Sequence, residues 1–119
     1  MATASSKLGP ILVDGSGRTL YLFKKDNGTT SSCDGACATA WPPYTTTGTP
    51  KAGAGVTASL LGTTKRTDGT TEVTYHGHPL YYFARDSKPG DTNGQNVDAF
   101  GAEWYVLSPT GTEVTNGGS

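Results

Sequence analysis

The sequence predicts an all-β fold: a small antiparallel sheet or barrel-like domain of about seven strands, in two related halves with one short helical segment. Three observations predict it. First, Leu20-Tyr21-Leu22-Phe23-Lys24-Lys25-Asp26 returns as Leu80-Tyr81-Tyr82-Phe83-Ala84-Arg85-Asp86, so Leu-Tyr-x-Phe-x-x-Asp occurs twice, each time followed by a Trp (Trp41, Trp104). Second, the chain holds 17 Gly, 7 Pro and 20 Thr, a mix that favours short strands and turns over helices. Third, only 34% of the residues are hydrophobic, so the 3 Phe, 2 Trp and 6 Tyr must supply much of the core. Each ring can bury roughly 150–250 Å².

The elements follow in order. Residues 1–9 read as a flexible arm, 10–108 as one β domain with halves at about 10–50 and 70–108, and 109–119 as a tail that frays at its end. Asp14-Gly15-Ser16-Gly17 is a hairpin signal, because glycine reaches positive φ at little cost. The strand Arg18–Lys24 alternates, with Tyr21 and Phe23 on one face and Leu20 and Leu22 on the other. Both faces are apolar, which predicts a central strand. Asp26 and Asp86 each precede turn residues and are expected to accept hydrogen bonds from turn N–H groups.

Ser31–Ala40 suits a short helical segment, expected over Cys33–Ala40, with Ser32 as its N-cap. Trp41-Pro42-Pro43 ends it. Residues 45–54 read as a surface loop and Val56–Thr63 as a strand or helical turn. Asp68-Gly69 predicts a hairpin of Thr63–Thr67 with Thr71–Tyr75. Gly77 and Pro79 then place Leu80–Ala84 antiparallel to Thr71–Tyr75. Residues 87–102 read as a long polar loop, of the kind that is often functional, and Glu103–Leu107 as the last strand.

The charge pattern excludes several classes. The formal net charge is −1 and no basic run occurs, which argues against nucleic-acid binding. No apolar stretch approaches the roughly 18 residues of a membrane span. The N-terminus shows no signal-peptide pattern, yet the Thr-, Gly- and Ser-rich composition looks extracellular. The expectation is that a native export signal was removed and Met1 added.

Leu20-Tyr-Leu-Phe-Lys-Lys-Asp26 with Cys33-Asp-Gly-Ala-Cys37 and Trp41-Pro-Pro43, and then His78-Pro-Leu-Tyr-Tyr-Phe83, Asp86, Pro89-Gly-Asp-Thr-Asn-Gly-Gln95 and Trp104, resemble a known family. It is the bacterial secreted repeat or lipoprotein family with a Tyr-x-aromatic-x-x-Asp motif. The resemblance covers residues 10–108. It implies export, often with lipid anchoring in the precursor, and an unidentified envelope or extracellular partner. It implies no activity. The chain lacks a lipobox Cys, and the second copy lacks the cysteine pair.

Candidate chemistry is sparse. Cys33 and Cys37 most simply form a disulfide in an exported protein, worth about 2 kcal/mol for so short a loop. Redox-active pairs favour Cys-x-x-Cys, which is not the spacing here. His76 and His78, two apart on a strand, can face one transition metal, with Asp68, Glu72 or Asp86 as a third ligand. Asp91-x-Asn93-x-Gln95, with Asp98, resembles alternating calcium ligands but lacks the closing Glu of an EF-hand. The structural reading of these residues is turn chemistry. Asn27-Gly28-Thr29 is a glycosylation sequon, incidental in a bacterial protein.

No hydrolase, metalloprotease or triad motif occurs. Tyr21, Phe23, Asp26, Tyr81, Phe83 and Asp86 are read as scaffold. The rings Tyr21, Tyr81, Tyr82, Trp41 and Trp104 are expected in the core, the alternative being a sugar- or peptide-binding surface. The sequence therefore predicts a monomeric, non-catalytic, extracytoplasmic binding or cell-envelope module without a cofactor. The alternative is a metal-binding or electron-transfer accessory using His76, His78 or the loop 86–98.

Overall fold

Alternating polar and apolar residues bounded by glycine turns give eight short strands in a computed structural model that describes residues 1–26 and 28–114. Asn27, and with it the sequon, and residues 115–119 lie outside the described residues. The strands are β1 (Ala2–Ser6), β2 (Gly9–Val13), β3 (Tyr21–Phe23), β4 (Leu61–Lys65), β5 (Thr71–Tyr75), β6 (His78–Pro79), β7 (Val97–Ala99) and β8 (Ala102–Val106). A helix, α1, spans Ala36–Ala40, and a 3-10 turn spans Ala58–Leu60. The fold is all-β. Three small antiparallel sheets form, in the orders β1-β2, β3-β8-β7 and β4-β5-β6, and no closed barrel results.

Several expectations are corrected by this arrangement. The expected N-terminal arm is strand β1, paired with β2 from Ala2↔Val13 to Ser6↔Gly9, because Ser6 and Gly9 close a tight turn that brings them together. The helix starts at Ala36 rather than Cys33, and Gly35, not Ser32, stands at its N-cap. Ser31 and Ser32 instead spend their groups on Tyr81 and Asp26. β3 lies at the end of its sheet rather than at the centre, with β8 in the middle. Its outer side is nonetheless paired: Tyr21 N–H donates to Tyr81 O (2.8 Å) and Tyr81 N–H to Tyr21 O (3.0 Å).

Leu80–Ala84 is not a continuous neighbour of β5. Pro79 carries no N–H, so the ladder with β5 ends at His78–Pro79 and a bond from Leu80 N to Val73 O. The chain then runs along residues 40–44. The loop 87–102 contains β7, and residues 106–114 are tied by Val114 N–H to Val106 O and a Leu107↔Glu113 bridge.

The same bond pattern occurs twice. Leu20 N–H donates to Leu12 O and Leu12 N–H to Leu107 O; Leu80 N–H donates to Val73 O and Val73 N–H to Tyr44 O. Lys24 N–H reaches Glu103 O (3.0 Å), and Ala84 N–H reaches Ala40 O (2.9 Å). Each aromatic motif is thus laid beside the Trp segment of the other half. The first motif pairs with 103–107 and the second with 40–44.

The alternation read along the first motif divides two cores. Tyr21 and Phe23 join Ile11, Val13, Trp41, Tyr81, Phe83 and Trp104 on one face, while Leu20 and Leu22 join Leu12, Val73, Tyr75, Leu80 and Leu107 on the other. The first core is a ring column. Phe23 stacks on Trp104 (4.0 Å), Trp104 on Trp41 (3.9 Å) and Trp41 on Phe83 (4.1 Å), with Tyr21 edge-on to Trp41 and Tyr81 edge-on to Trp104. Such pairs add about 0.5–1.5 kcal/mol each beyond burial.

Gly94 lies against this column. A Cβ there would stand 2.8 Å from two atoms of Trp41 and 2.9 Å from Tyr21 Cε1. Gly94→Ala is therefore expected to lower stability by about 1–3 kcal/mol through overpacking. Gly15→Ala, where a Cβ meets nothing within 4 Å, is expected to change it little. Urea midpoints of the two variants check the contrast.

Candidate functional site

The two motif aspartates find partners across the repeat, not within it. Tyr21 O–H donates to Asp86 Oδ2 (2.6 Å), and Tyr81 O–H donates to Asp26 Oδ2 (2.7 Å). The other carboxylate oxygens take backbone N–H groups: Ser32 N–H to Asp26 Oδ1 (2.6 Å) and Asn93 N–H to Asp86 Oδ1 (3.0 Å). One oxygen of each carboxylate thus takes a backbone N–H, but not as the expected Asx-type turn bond. Its donor sits six or seven residues on rather than in the adjacent turn. Each phenol oxygen also accepts a bond. Gly94 N–H donates to Tyr21 (3.1 Å), and Ser31 Oγ lies 2.6 Å from Tyr81. With the Tyr81 proton on Asp26, Ser31 is the donor.

Burial shapes the protonation of this group. Tyr21 and Tyr81 are fully buried. Burial and then the Asp86 carboxylate push the Tyr21 phenol up, while burial and then the Glu72 and Asp26 charges push up Tyr81. Burial also raises Asp86, and it raises Asp26 to about 6 against the opposing bonds from Tyr81 and Ser32.

Beside Tyr81 lies a second, unpredicted group. Arg66 donates to Glu72 Oε1 (3.0 Å), Ser31 Oγ (2.9 Å), Cys33 O (2.6 Å) and Asp34 Oδ1 (3.2 Å). Glu72 is fully buried, and its Oε2 has no hydrogen-bond partner among the described residues. Burial raises Glu72 to about 8 despite the neighbouring guanidinium. Burial is the largest single influence on Arg66 and opposes its charge, but the Glu72 bond and the Glu72, Tyr81 and Asp34 charges together outweigh it and raise the pKa. Sequence reading missed this pair because Lys65-Arg66 looks like a surface cluster. No local signal marks it: Glu72-Val73-Thr74-Tyr75 alternates polar and apolar, as a strand with one solvent-facing side does.

The cysteines are joined, with Cys33 and Cys37 linked by a disulfide across the start of α1. The rings of Tyr21, Tyr81, Trp41 and Trp104 are core, and Tyr82 is half-buried, donating to Asp14 Oδ2 (2.7 Å). The proposed metal residues are scattered in role. His76 is not on a strand: it occupies the β5–β6 turn with Gly77 (φ 52° and 79°), His78 opens β6, their ring centroids are 6.3 Å apart, and the His78 pKa is lowered by burial and then by His76. Asp91 Oδ2 accepts from Ser87 N–H (2.9 Å), Asn93 donates to Arg85 O, and Asp98 is exposed on β7 opposite Glu103. Among the described residues no three His, Cys, Asp or Glu side chains gather to hold a metal ion.

One feature of the surface stands apart. Phe100 is the exposed large hydrophobic residue (43%) among the described residues. It occupies the two-residue turn Phe100–Gly101 between β7 and β8, with φ of 58° and 98°. Such turns need positive φ at both positions and ordinarily carry Asn-Gly. Phe100 borders a groove with Phe83, Trp41, Val97, Arg85 and Asn93. Among the described residues Arg85 forms no ion pair.

The repeated bond pattern spans the same two segments that a known family covers. The secreted repeat of unknown function, Lipoprotein_15, matches residues 2–45 and 62–108. The chain belongs to the Lipoprotein_15 family. The two matched segments are the two repeats of this fold, each a hairpin, an aromatic motif and a Trp segment. Their bounds start earlier than the expected halves of 10–50 and 70–108, because β1 and β4 belong to them. No curated protein and no solved structure matches this Lipoprotein_15 chain. Secretion is the family's description, and no helix among the described residues is long and apolar enough to cross a membrane.

Two outcomes are expected of the buried groups. In double-mutant cycles Tyr21→Phe with Asp86→Ala couples by about 1–3 kcal/mol, whereas Tyr21→Phe with Asp26→Ala adds independently. Equal coupling for both pairs would contradict the crossed arrangement. Folding raises Asp26 from 3.8 to about 6 and Glu72 from 4.5 to about 8, so the folded chain holds protons that the unfolded chain releases. That contribution is whole below the unfolded values and is lost as pH rises through the folded ones. Urea midpoints are expected to fall as pH rises from about 4 to about 8, and Glu72→Gln is expected to flatten the upper part of that fall.

Proposed function

We propose that this chain is a non-catalytic, monomeric, extracytoplasmic module that binds a cell-envelope component through the groove beside Phe100. The observation that carries the reading is the conformation of Phe100. A non-glycine residue in the left-handed region costs roughly 1–2 kcal/mol, and a ring left 43% exposed gains only part of the burial of a core ring. Strain of that kind at a surface residue points to use. The groove joins apolar faces from Phe83, Val97 and Phe100 to the Arg85 cation. Its chemistry suits a partner that presents an apolar or ring-shaped face next to a negative charge.

The polar groups elsewhere favour a scaffold. The motif carboxylates are engaged by tyrosines and backbone N–H groups. The disulfide fits an oxidising compartment.

Phe100→Asn is expected to raise stability by roughly 1 kcal/mol, because Asn tolerates this turn. The same variant, and Arg85→Gln, are expected to lose co-sedimentation with isolated bacterial cell wall or with anionic-lipid vesicles, whichever the unmodified protein binds. Unmodified protein that sediments with neither, or variants that sediment like it, would overturn the reading.

A further inference from the structure

The ring column contains a continuous path of oxidisable groups. Tyr21 touches Trp41 edge-on at 5.5 Å between centroids, Trp41 stacks on Trp104 at 3.9 Å with 4° between planes, and Trp104 meets Tyr81 edge-on at 5.2 Å. Phenols and indoles are the side-chain rings that give up an electron most readily. Phe23 and Phe83, at the two ends of the stack, do so far less easily. All four members of the path are buried.

Both ends of this path are arranged alike. Each tyrosine donates its one proton to a carboxylate, Tyr21 to Asp86 at 2.6 Å and Tyr81 to Asp26 at 2.7 Å. Each phenol oxygen also accepts one donor, the Gly94 N–H or Ser31 hydroxyl. A phenol that loses an electron becomes strongly acidic and needs a base on its proton. A phenoxyl oxygen left behind keeps a hydrogen bond. Both requirements are met twice, at the two positions where the sequence repeats itself. Burial alone does not call for a carboxylate here, since a buried tyrosine is satisfied by a backbone carbonyl.

We propose that Tyr21, Trp41, Trp104 and Tyr81 form a relay that takes up a single oxidising equivalent and holds it as a neutral tyrosyl radical. The co-reactant is a one-electron oxidant of higher potential than an indole, of the ferryl-haem class, reaching the column where Trp41 lines the surface groove. One electron leaves Trp41 and reduces that oxidant by one unit. Tyr21, or Tyr81 through Trp104, refills the indole. In the same step the phenol proton moves to Asp86 or Asp26, so carboxylate becomes carboxylic acid and phenol becomes phenoxyl. A one-electron reductant restores the tyrosine, and the proton returns along the same hydrogen bond. Burial favours the protonated form of both carboxyls, which suits them to hold that proton. The relay shares its groove with the Phe100 binding reading but does not rest on it, since a small soluble oxidant needs no bound envelope component.

The test uses the whole protein and a photogenerated ruthenium(III) polypyridyl complex as oxidant. Transient absorption and electron paramagnetic resonance are expected to show a neutral tyrosyl radical. Its formation is expected to be independent of buffer-base concentration, because the proton acceptor is internal. Asp26→Asn with Asp86→Asn keeps the side-chain shapes and is expected to abolish the tyrosyl signal and leave an indole radical. Tyr44→Phe with Tyr82→Phe is expected to retain the signal. Tyrosyl yield that rises with buffer base in the unmodified protein, or that disappears in the Tyr44/Tyr82 variant, would overturn the proposal. The buffer measurement stands even where the Asn variant, checked by near-ultraviolet circular dichroism, fails to fold.

Discussion

The structure depends on one crossed contact between the repeats. Tyr21 and Tyr81 exchange a reciprocal pair of backbone hydrogen bonds, and each sends its phenol to the aspartate of the other motif. Neither half can complete this arrangement alone. The hydrogen bonds end on carboxylates, where a bond is stronger and a missing partner more damaging than between neutral groups. Exchange also extends to the sheets, since each motif strand lies beside the other half's Trp segment. The two repeats are therefore one cooperative body, and a lone repeat would leave its motif carboxylate and its Trp face uncovered.

The stacked column is the consequence of that exchange. Bringing motif one to segment 103–107 and motif two to segment 40–44 places Phe23 on Trp104 and Phe83 on Trp41. The two indoles then meet at the middle. A chain that is only 34% hydrophobic builds a dense centre this way, because few large flat rings stack with little void. The tight seat of Gly94 against Trp41 and Tyr21 belongs to the same packing.

The halves have nonetheless diverged where their bond patterns coincide. Leu12 and Val73 are counterparts in those patterns, which makes Ile11 the counterpart of Glu72. Ile11 belongs to the aromatic core, whereas Glu72 at the matching place is paired with Arg66. A buried Arg–Glu contact rarely adds net stability over apolar packing, but removing one partner is costly. The Arg66 guanidinium also ties the carbonyl of Cys33 and the side chain of Asp34 to the second repeat. The first repeat contributes the disulfide at that point, and the second contributes the cation that holds its loop.

The fold class, the two-faced nature of the first motif, the hairpin at Asp68-Gly69 and the Cys33–Cys37 bridge were legible in the chain. Each follows from local rules: side-chain alternation, positive φ at glycine, and cysteine spacing in an oxidising setting. The partners of Asp26 and Asp86 were not, since turn chemistry predicts a local donor and says nothing about a tyrosine more than fifty residues away. The strand β1 and the start of α1 were misread, and the burial of Arg66 was missed, for the same reason. Short polar segments such as Ala-Thr-Ala-Ser-Ser take their conformation from what they pair with, and that pairing is decided by tertiary contact. Sequence alone determined that two aromatic strands would form the scaffold. Only the tertiary structure decided that they would cross, because the free energy that favours crossing lies in contacts between residues far apart in the chain.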